Sequence, residues 1–226
     1  YRIRFIKNKY YLTSNQGSLP IKWISQPDYY DEPINEHVKL GDVAAVHGSY
    51  VSLSIGGHRY LQPTLVDEQG SGVRPGLVVS VDETLNILEK IRDKGKLDVV
   101  SLSCWDPDKE DGGIYQIESY IRAIKKNFSV LLVVEVHLPQ KSSIVDDTYA
   151  MGADSVCYHI GNLCSHGHSQ AEPERDKEFE MRMLKHAVSD YPPGTILAHI
   201  TIGPIGDKSN TTSKEDIEEL CKLKVL

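Results

Sequence analysis

The pattern of apolar and polar positions is regular from about residue 50 onward, where two kinds of segment alternate. Short segments rich in β-branched residues predict strands, and longer segments with apolar residues at helical spacing predict helices. The predicted strands are residues 50–55, 98–104, 130–138, 153–161 and 196–203. The predicted helices are residues 81–95, 116–127, 143–151 and 178–191, and a last helix that begins after a capping box formed by Thr212 and Glu215.

Strands that alternate with helices at this spacing predict parallel strands joined by right-handed crossovers. Five strand–helix units are present, whereas a closed eight-stranded barrel needs roughly 250 residues. We therefore predict an α/β fold, a partial (open) parallel β/α barrel over residues 50–226, truncated at its C-terminus within the fifth helix. Residues 1–49 lack the alternation, and their prolines and clustered tyrosines indicate an N-terminal cap of hairpin and loop character. The alternative is an antiparallel sheet with one solvated face.

Polar side chains recur at every second position of the predicted strands. The pairs are Ser52 with Ser54, Ser101 with Ser103, Glu135 with His137, Cys157 with His159, and His199 with Thr201. Because successive strand residues point to opposite faces, each strand has one apolar face for packing under helices and one polar face. A polar concave side would make the barrel interior a ligand cavity. Glu135 is the most informative residue, because a carboxylate between two valines is costly unless it meets a cation or hydrogen-bond donors such as a ribose diol.

The charge and the apolar content of the chain argue against nucleic acid and membranes as partners. The 226 residues carry 25 Lys and Arg against 32 Asp and Glu, and this net charge of −7 argues against nucleic-acid binding. No apolar run approaches the roughly 18 residues of a membrane span, and the first residues are too charged for a signal peptide. We therefore predict a cytoplasmic protein with no membrane partner. The cysteines form no CxxC pair and indicate free thiols; they are Cys104, Cys157, Cys164 and Cys221.

Two predicted loops carry candidate chemistry. Residues 164–168 alternate a thiol with two imidazoles, which makes Cys164, His166 and His168 candidate ligands for zinc or another soft divalent metal. Residues 202–207 end the last strand in a glycine turn with a carboxylate, where a ligand could approach the backbone closely. The sequence contains no P-loop, no GxGxxG after the first strand, no GxSxG and no HExxH. The commonest nucleotide-binding and hydrolase classes are therefore excluded.

The order of these segments resembles that of radical S-adenosylmethionine (radical SAM) enzymes of the biotin synthase type, including archaeal-style homologs that act as lipoyl synthases. The resemblance extends over residues 50–226. The segments that carry it are SCWDP at 103–107, VVEVHL at 133–138, MGAD at 151–154, VCYHIGN at 156–162 and HITIGPIGD at 199–207. The last of these is similar to the family's GxxxGxxE turn, with Asp207 in place of Glu.

The resemblance implies a partial barrel of the radical SAM type, in which a CxxxCxxC loop after the first strand holds a 4Fe–4S cluster that binds S-adenosylmethionine. Its implied contacts are Ser103 and Cys104 near the methionine end, Glu135, His137 and His159 around the ribose and substrate, and Ile205 and Gly206 at the adenine. The implied reaction is hydrogen abstraction by a 5′-deoxyadenosyl radical, then sulfur insertion at an unactivated alkyl carbon. The sulfur would come from an auxiliary iron–sulfur cluster. The substrate would be an octanoylated lipoyl carrier protein, as in lipoyl synthases, or a small alkyl compound.

One part of the family pattern is missing, because no CxxxCxxC occurs in the sequence. Either the chain is a homolog that lost the motif, or the cluster loop is absent between Ile55 and Gly56; we favour the second, since the strand-like SLSI runs directly into GGHRYLQP. Two other functions stay open. One is a cluster-less barrel that binds a metal or a phosphorylated small molecule through the 164–168 loop or through Glu135 and His137. The other is a non-catalytic paralogue that partners an active radical SAM subunit.

Overall fold

The computed structural model describes residues 2–15, 17–21, 27–36, 38–55, 79–104, 109–160, 177–200 and 214–225. The strands are β1 (Arg2–Ile6), β2 (Lys9–Ser14), β3 (Gly17–Ile21), β4 (Ala44–His47), β5 (Tyr50–Ser54), β6 (Val99–Ser103), β7 (Leu131–His137), β8 (Ser155–Ile160) and β9 (Ile196–Ile200). The helices are α1 (Leu40–Val43), α2 (Val81–Lys94), α3 (Ile114–Asn127), α4 (Ser142–Met151), α5 (Lys177–Asp190) and α6 (Lys214–Lys222), with a 3-10 turn at Asp28–Asp31.

The main sheet has six strands in the order β4-β5-β6-β7-β8-β9. Strands β5 to β9 are parallel and follow chain order, whereas β4 pairs antiparallel with β5. Each helix from α2 to α5 packs against the next one, so these helices form one layer on one side of the sheet. Sequential parallel strands under a single helical layer curl into a barrel, because every right-handed crossover returns on the same side. The predicted partial, open β/α barrel is confirmed.

The N-terminal residues contribute to two sheets. Strands β1, β2 and β3 form a separate antiparallel meander, in which Arg2 lies opposite Thr13 and Tyr10 lies opposite Ile21. Strand β4 also precedes residue 50, yet it forms the first strand of the barrel sheet and joins β5 through a tight turn at Gly48. The barrel sheet therefore begins before the strand that the sequence predicts as its first.

The hydrophobic core lies between the sheet and the helical layer. In β5 to β8 the strand residues of one parity are buried there; they are Val51, Leu53, Val100, Leu102, Leu132, Val134, Val136, Val156, Tyr158 and Ile160. The helices add apolar stripes at helical spacing, with Ile87 and Ile91 on α2 and Ile117, Ile121 and Ile124 on α3. The alternative of an antiparallel sheet with one solvated face is wrong, because five of the six strands run parallel.

Local sequence signals explain where two of the helices begin. Ser80 and Glu83 form the capping box that begins α2, with Ser80 Oγ accepting from the Glu83 backbone N–H. Helix α3 begins at Ile114, two residues earlier than the pattern predicts, directly after Gly112 and Gly113 at φ of +65° and +98°. Among the described residues, no helix combines the length and the apolar character needed to cross a bilayer.

Candidate functional site

The polar side chains of the barrel strands share the concave face of the sheet, opposite the helical layer. Strand pairing places them in two rows across the sheet. In the deeper row Ser103 lies beside Glu135, which lies beside Cys157. In the row nearer the carboxyl ends, His137 lies beside His159, which lies beside His199. The carboxyl ends of parallel strands are where β/α barrels bind their ligands, so these two rows form the candidate site.

Glu135 is the anionic centre of this face. Ser101 Oγ donates a hydrogen bond of 2.6 Å to Glu135 Oε1, and the Tyr50 hydroxyl donates to the same oxygen at 3.4 Å. No hydrogen bond from the described residues reaches Glu135 Oε2. The serine hydroxyl is fully buried and fixes one carboxylate oxygen. The second oxygen is therefore the one available to a ligand on the half-buried concave side.

The three histidines form a row of imidazoles along the strand ends. The ring centroids of His137 and His159 are 5.8 Å apart, and those of His159 and His199 are 4.3 Å apart. His159 is only 6% exposed. Burial, followed by the neighbouring His199 and His137, lowers the pKa of His159 to about 3. The central imidazole is therefore neutral at physiological pH, with one nitrogen that donates and one that accepts.

The thiol of Cys157 is held in its protonated form. Burial raises its pKa to about 12, and the nearby Glu135 carboxylate adds to the effect. A thiolate is the form that attacks electrophiles and binds metals. Cys157 therefore contributes a neutral, polarisable wall to the site at physiological pH.

A glycine turn positions the end of β7, where His137 lies. Gly112 approaches His137 so closely that a Cβ atom on this glycine would lie 2.3 Å from the His137 carbonyl oxygen. The His137 N–H in turn donates to the Gly112 carbonyl at 3.4 Å. The turn before α3 therefore supports the strand residue that begins the imidazole row.

The sequence-predicted site residues fall into three groups. Glu135, His137 and His159 lie together on the concave face, as predicted. Ser103 shares that face but is buried, and its hydroxyl donates to the Leu53 carbonyl at 3.4 Å. Cys104, which the resemblance places beside Ser103, lies on the other side of the sheet: its sulfur is under the start of α3, 3.0 Å from where a Gly113 Cβ would be, because Cys104 shares the strand parity of Val100 and Leu102. The residues Cys164, His166, His168, Ile205, Gly206 and the Ile55–Gly56 junction lie outside the described residues.

Tyr50 was not predicted as a site residue; in the sequence pattern it only begins a strand. The parity of Tyr50 matches that of Ser52, which was the available signal. The contact between Tyr50 and Glu135 was not predictable, because they belong to different strands, β5 and β7, with β6 between them in the sheet.

The described cysteines do not fit a 4Fe–4S cluster, which needs three converging thiolates to leave one iron open. Cys104 lies on the helical side of β6, Cys157 lies on the concave face, and Cys221 is exposed on α6. Within the described part of the chain, Glu135 and the three imidazoles also form no converged set of metal ligands. The metal-binding alternative through Glu135 and His137 therefore gains no support from this face.

Comparisons with known proteins leave the family open. No family model matches the chain, and no curated protein matches it. Among solved structures, the chain is similar to a dihydropteroate synthase from Coxiella burnetii in complex with pteroic acid, at 15% identity and a TM-score of 0.38, over 80% of this chain and 68% of that one. It is similar to an α-N-acetylgalactosaminidase from Bifidobacterium bifidum at 13% identity and a TM-score of 0.37, over 68% and 37% of the two chains. The dihydropteroate synthase of Yersinia pestis matches at 13% identity and a TM-score of 0.33, over 64% and 62%. At these scores the likenesses carry no argument about function.

Proposed function

We propose that the concave face of this barrel binds S-adenosylmethionine, with Glu135 as the acceptor for the ribose hydroxyls. The observation that carries the proposal is the carboxylate itself, since Ser101 and Tyr50 fix Oε1 while Oε2 accepts no hydrogen bond from the described residues. An acidic side chain at the carboxyl end of a parallel strand is a common partner of ribose hydroxyls in nucleotide sites. The negative charge also suits the sulfonium and ammonium groups of this ligand.

The neighbouring residues supply the remaining contacts that such a ligand needs. His159, neutral at physiological pH, adds a polar ring to this face without placing positive charge beside a cationic ligand. Val133 and Leu197 lie on the same face and are half-buried, so they provide apolar area next to the carboxylate. This combination of an apolar wall with a few polar groups is typical of small-molecule sites.

The resemblance extends the proposal to radical SAM chemistry, in which a lipoyl synthase-like enzyme inserts sulfur into an alkyl chain. That chemistry needs a 4Fe–4S cluster, whose ligands the described cysteines do not supply, so we derive no radical step from these residues. The function that the residues support is cofactor binding by a paralogue of radical SAM enzymes, which would work beside an active radical SAM subunit.

Calorimetric titration of the full chain with S-adenosylmethionine tests the proposal. We expect saturable binding, and we expect Glu135→Gln to weaken it about tenfold or more, because the loss of one charged hydrogen-bond acceptor costs about 1.5–3 kcal/mol. Glu118→Gln is the matched control, since Glu118 lies on α3 and pairs with Arg122 at the surface. Equal affinity in Glu135→Gln and the unaltered chain, or no binding at millimolar ligand, would overturn the proposal.

A second measurement tests the catalytic extension separately. Anaerobic reconstitution with iron and sulfide, followed by reduction in the presence of S-adenosylmethionine, should yield neither brown absorbance nor 5′-deoxyadenosine if the chain only binds the cofactor. Formation of 5′-deoxyadenosine would instead establish this protein as the radical-generating enzyme.

A further inference from the structure

The antiparallel meander of β1, β2 and β3 has one apolar face. In an antiparallel sheet, directly paired residues and every second residue of a strand point to the same side. Strand pairing therefore gathers six aliphatic and aromatic side chains on one side of the meander, which we call the apolar face; they are Ile3, Phe5, Tyr10, Leu12, Leu19 and Ile21.

The apolar face is open to solvent. Ile3 is 57% exposed, Phe5 is 60% exposed and Leu19 is 63% exposed. Among the described residues, the buried hydrophobic core includes no residue of the meander, and β1 and β3 pack mainly on β2. Contiguous apolar area on a protein surface indicates a site of interaction, because it is costly to leave in water.

The opposite face of the meander is basic. Arg2, Arg4 and Lys9 lie on that face, Lys7 lies in the turn between β1 and β2, and all four residues are exposed. Residues 1–27 contain five basic residues and no acidic residue, whereas the whole chain has a net charge of −7. The meander is therefore a positively charged, amphipathic sheet in an otherwise acidic chain.

This charge distribution favours an anionic lipid surface over a second copy of the chain. A second copy stacked on the apolar face requires apolar area and no particular sign of charge. Stable interfaces bury roughly 1,200–2,000 Å² in total, whereas only three of the six side chains are more than half exposed and the others are half-buried. A lipid surface uses both properties, because apolar side chains enter the headgroup boundary while Lys and Arg are attracted to acidic headgroups.

We infer that the β1–β3 meander binds the surface of an anionic membrane, with the apolar face inserted at the level of the headgroups. Strand β1 is an edge strand, so the long side chains of Arg2 and Arg4 reach around the sheet to the same headgroups. This surface is separate from the site proposed on the concave face of the barrel. It also differs from the sequence-based expectation of no membrane partner, which rested on net charge and on spanning segments and did not consider surface contact.

Co-sedimentation of the full chain with lipid vesicles tests the inference. We expect binding to phosphatidylcholine vesicles that contain phosphatidylserine, binding at least about tenfold weaker to phosphatidylcholine alone, and release at high salt, because salt screens the attraction between charges. Phe5→Thr and Leu19→Thr should each weaken binding by about tenfold, since each removes apolar area from the inserted face while threonine keeps the strand propensity. Leu131→Thr is the matched control, because Leu131 is 60% exposed at the start of β7, outside the meander.

Substitutions of the basic residues test the electrostatic contribution separately. Arg4→Gln and Lys9→Gln should each weaken binding to the phosphatidylserine vesicles about fivefold, because one basic residue near an anionic surface contributes about 1 kcal/mol. Both variants should leave the weak binding to phosphatidylcholine unchanged. Lys126→Gln is the matched control, since Lys126 is an exposed lysine on α3.

Circular dichroism establishes that each variant is folded, and if Phe5→Thr is not, Leu19→Thr on a different strand decides. The inference is overturned by the absence of binding to phosphatidylserine vesicles, by equal binding to phosphatidylcholine, or by unchanged binding in both Phe5→Thr and Leu19→Thr. A dimer in solution that these two variants dissociate, without vesicle binding, would also overturn it and would assign the apolar face to a second copy of the chain.

Discussion

His159 lies between two other imidazoles, and its position links residue-scale electrostatics to the stability of the fold. Desolvation is the larger cause of its lowered pKa, and the neighbouring His199 and His137 disfavour a positive charge further. An ordinary histidine titrates near pH 6.5, whereas this one stays neutral until about pH 3. The concave face thus presents a neutral hydrogen-bonding ring next to the Glu135 carboxylate.

From the lowered pKa of His159 we predict that the free energy of unfolding decreases as the pH falls. Because the folded pKa is below the unfolded pKa, the stabilising contribution is fully present above pH 6.5 and is lost progressively as the pH falls from 6.5 toward 3. Within that window the loss from one group is about 1.4 kcal/mol per pH unit. Urea unfolding at several pH values should give a steeper slope for the unaltered chain than for His159→Gln.

A direct readout accompanies that comparison. The ring-proton resonances of His159 should not titrate between pH 5 and 7 in an NMR experiment on the folded protein. A midpoint near 6.5 for this ring would contradict the prediction.

At the scale of elements, the turn before α3 connects helix placement with the site. Gly112 has a φ of +65° and lies against the His137 carbonyl, so it lacks space as well as an ordinary backbone conformation for a side chain. Gly48, in the turn between β4 and β5, has a φ of +68° but nothing within 4 Å of its missing Cβ. A side chain at Gly48 would meet only an unfavourable backbone conformation, whereas a side chain at Gly112 would also collide with the His137 carbonyl.

We predict different costs for alanine at these two positions. Gly48→Ala should lower the free energy of unfolding by about 1–2 kcal/mol, which is the cost of a left-handed backbone conformation. Gly112→Ala should cost about 1–3 kcal/mol more, because its Cβ would force the end of β7 to move. Urea unfolding of both variants measures the difference. Equal costs for the two variants would mean that the turn does not support the strand.

At the scale of the whole molecule, the two faces of the barrel sheet have different roles. The face toward the helices is apolar and buried, and it holds the fold together by removing apolar area from water. The concave face is partly exposed and carries the carboxylate and imidazoles. Neighbouring residues of one strand therefore have different roles. On β7, Val134 packs in the buried core, whereas Val133 lies on the partly exposed concave face.

This division predicts unequal effects of matched truncations on one strand. Val134→Ala removes buried methyl groups under α3 and should lower the free energy of unfolding by about 2 kcal/mol. Val133→Ala acts on the half-buried concave face and should cost less than about 1 kcal/mol, while it weakens ligand binding. Chemical unfolding measures the free energy of unfolding of both variants. A larger loss for Val133→Ala than for Val134→Ala would mean that the main core lies on the concave face and not under the helices.

The spacing of apolar residues along the sequence predicts most of the helices and strands of the barrel. The spacing of Ile87 and Ile91, or of Ile117 and Ile121, reflects burial of one helix face, and it predicts the helices within about two residues. The alternation in VVEVHL likewise predicts that Glu135 and His137 share a face, because side-chain direction along a strand has a period of two. These properties depend on residues close in sequence, so the sequence alone determined the helices and the parallel strands from residue 50 onward and the polar face of the sheet.

Other properties depend on how distant elements meet, and only the tertiary structure decided them. Strand pairing brings Ser101 to Glu135 and sets His199 beside His159, while packing of α4 on α5 brings together Asp146 and His186, which are 40 positions apart in the sequence. Register, strand tilt and helix packing determine such contacts, and no local pattern encodes them.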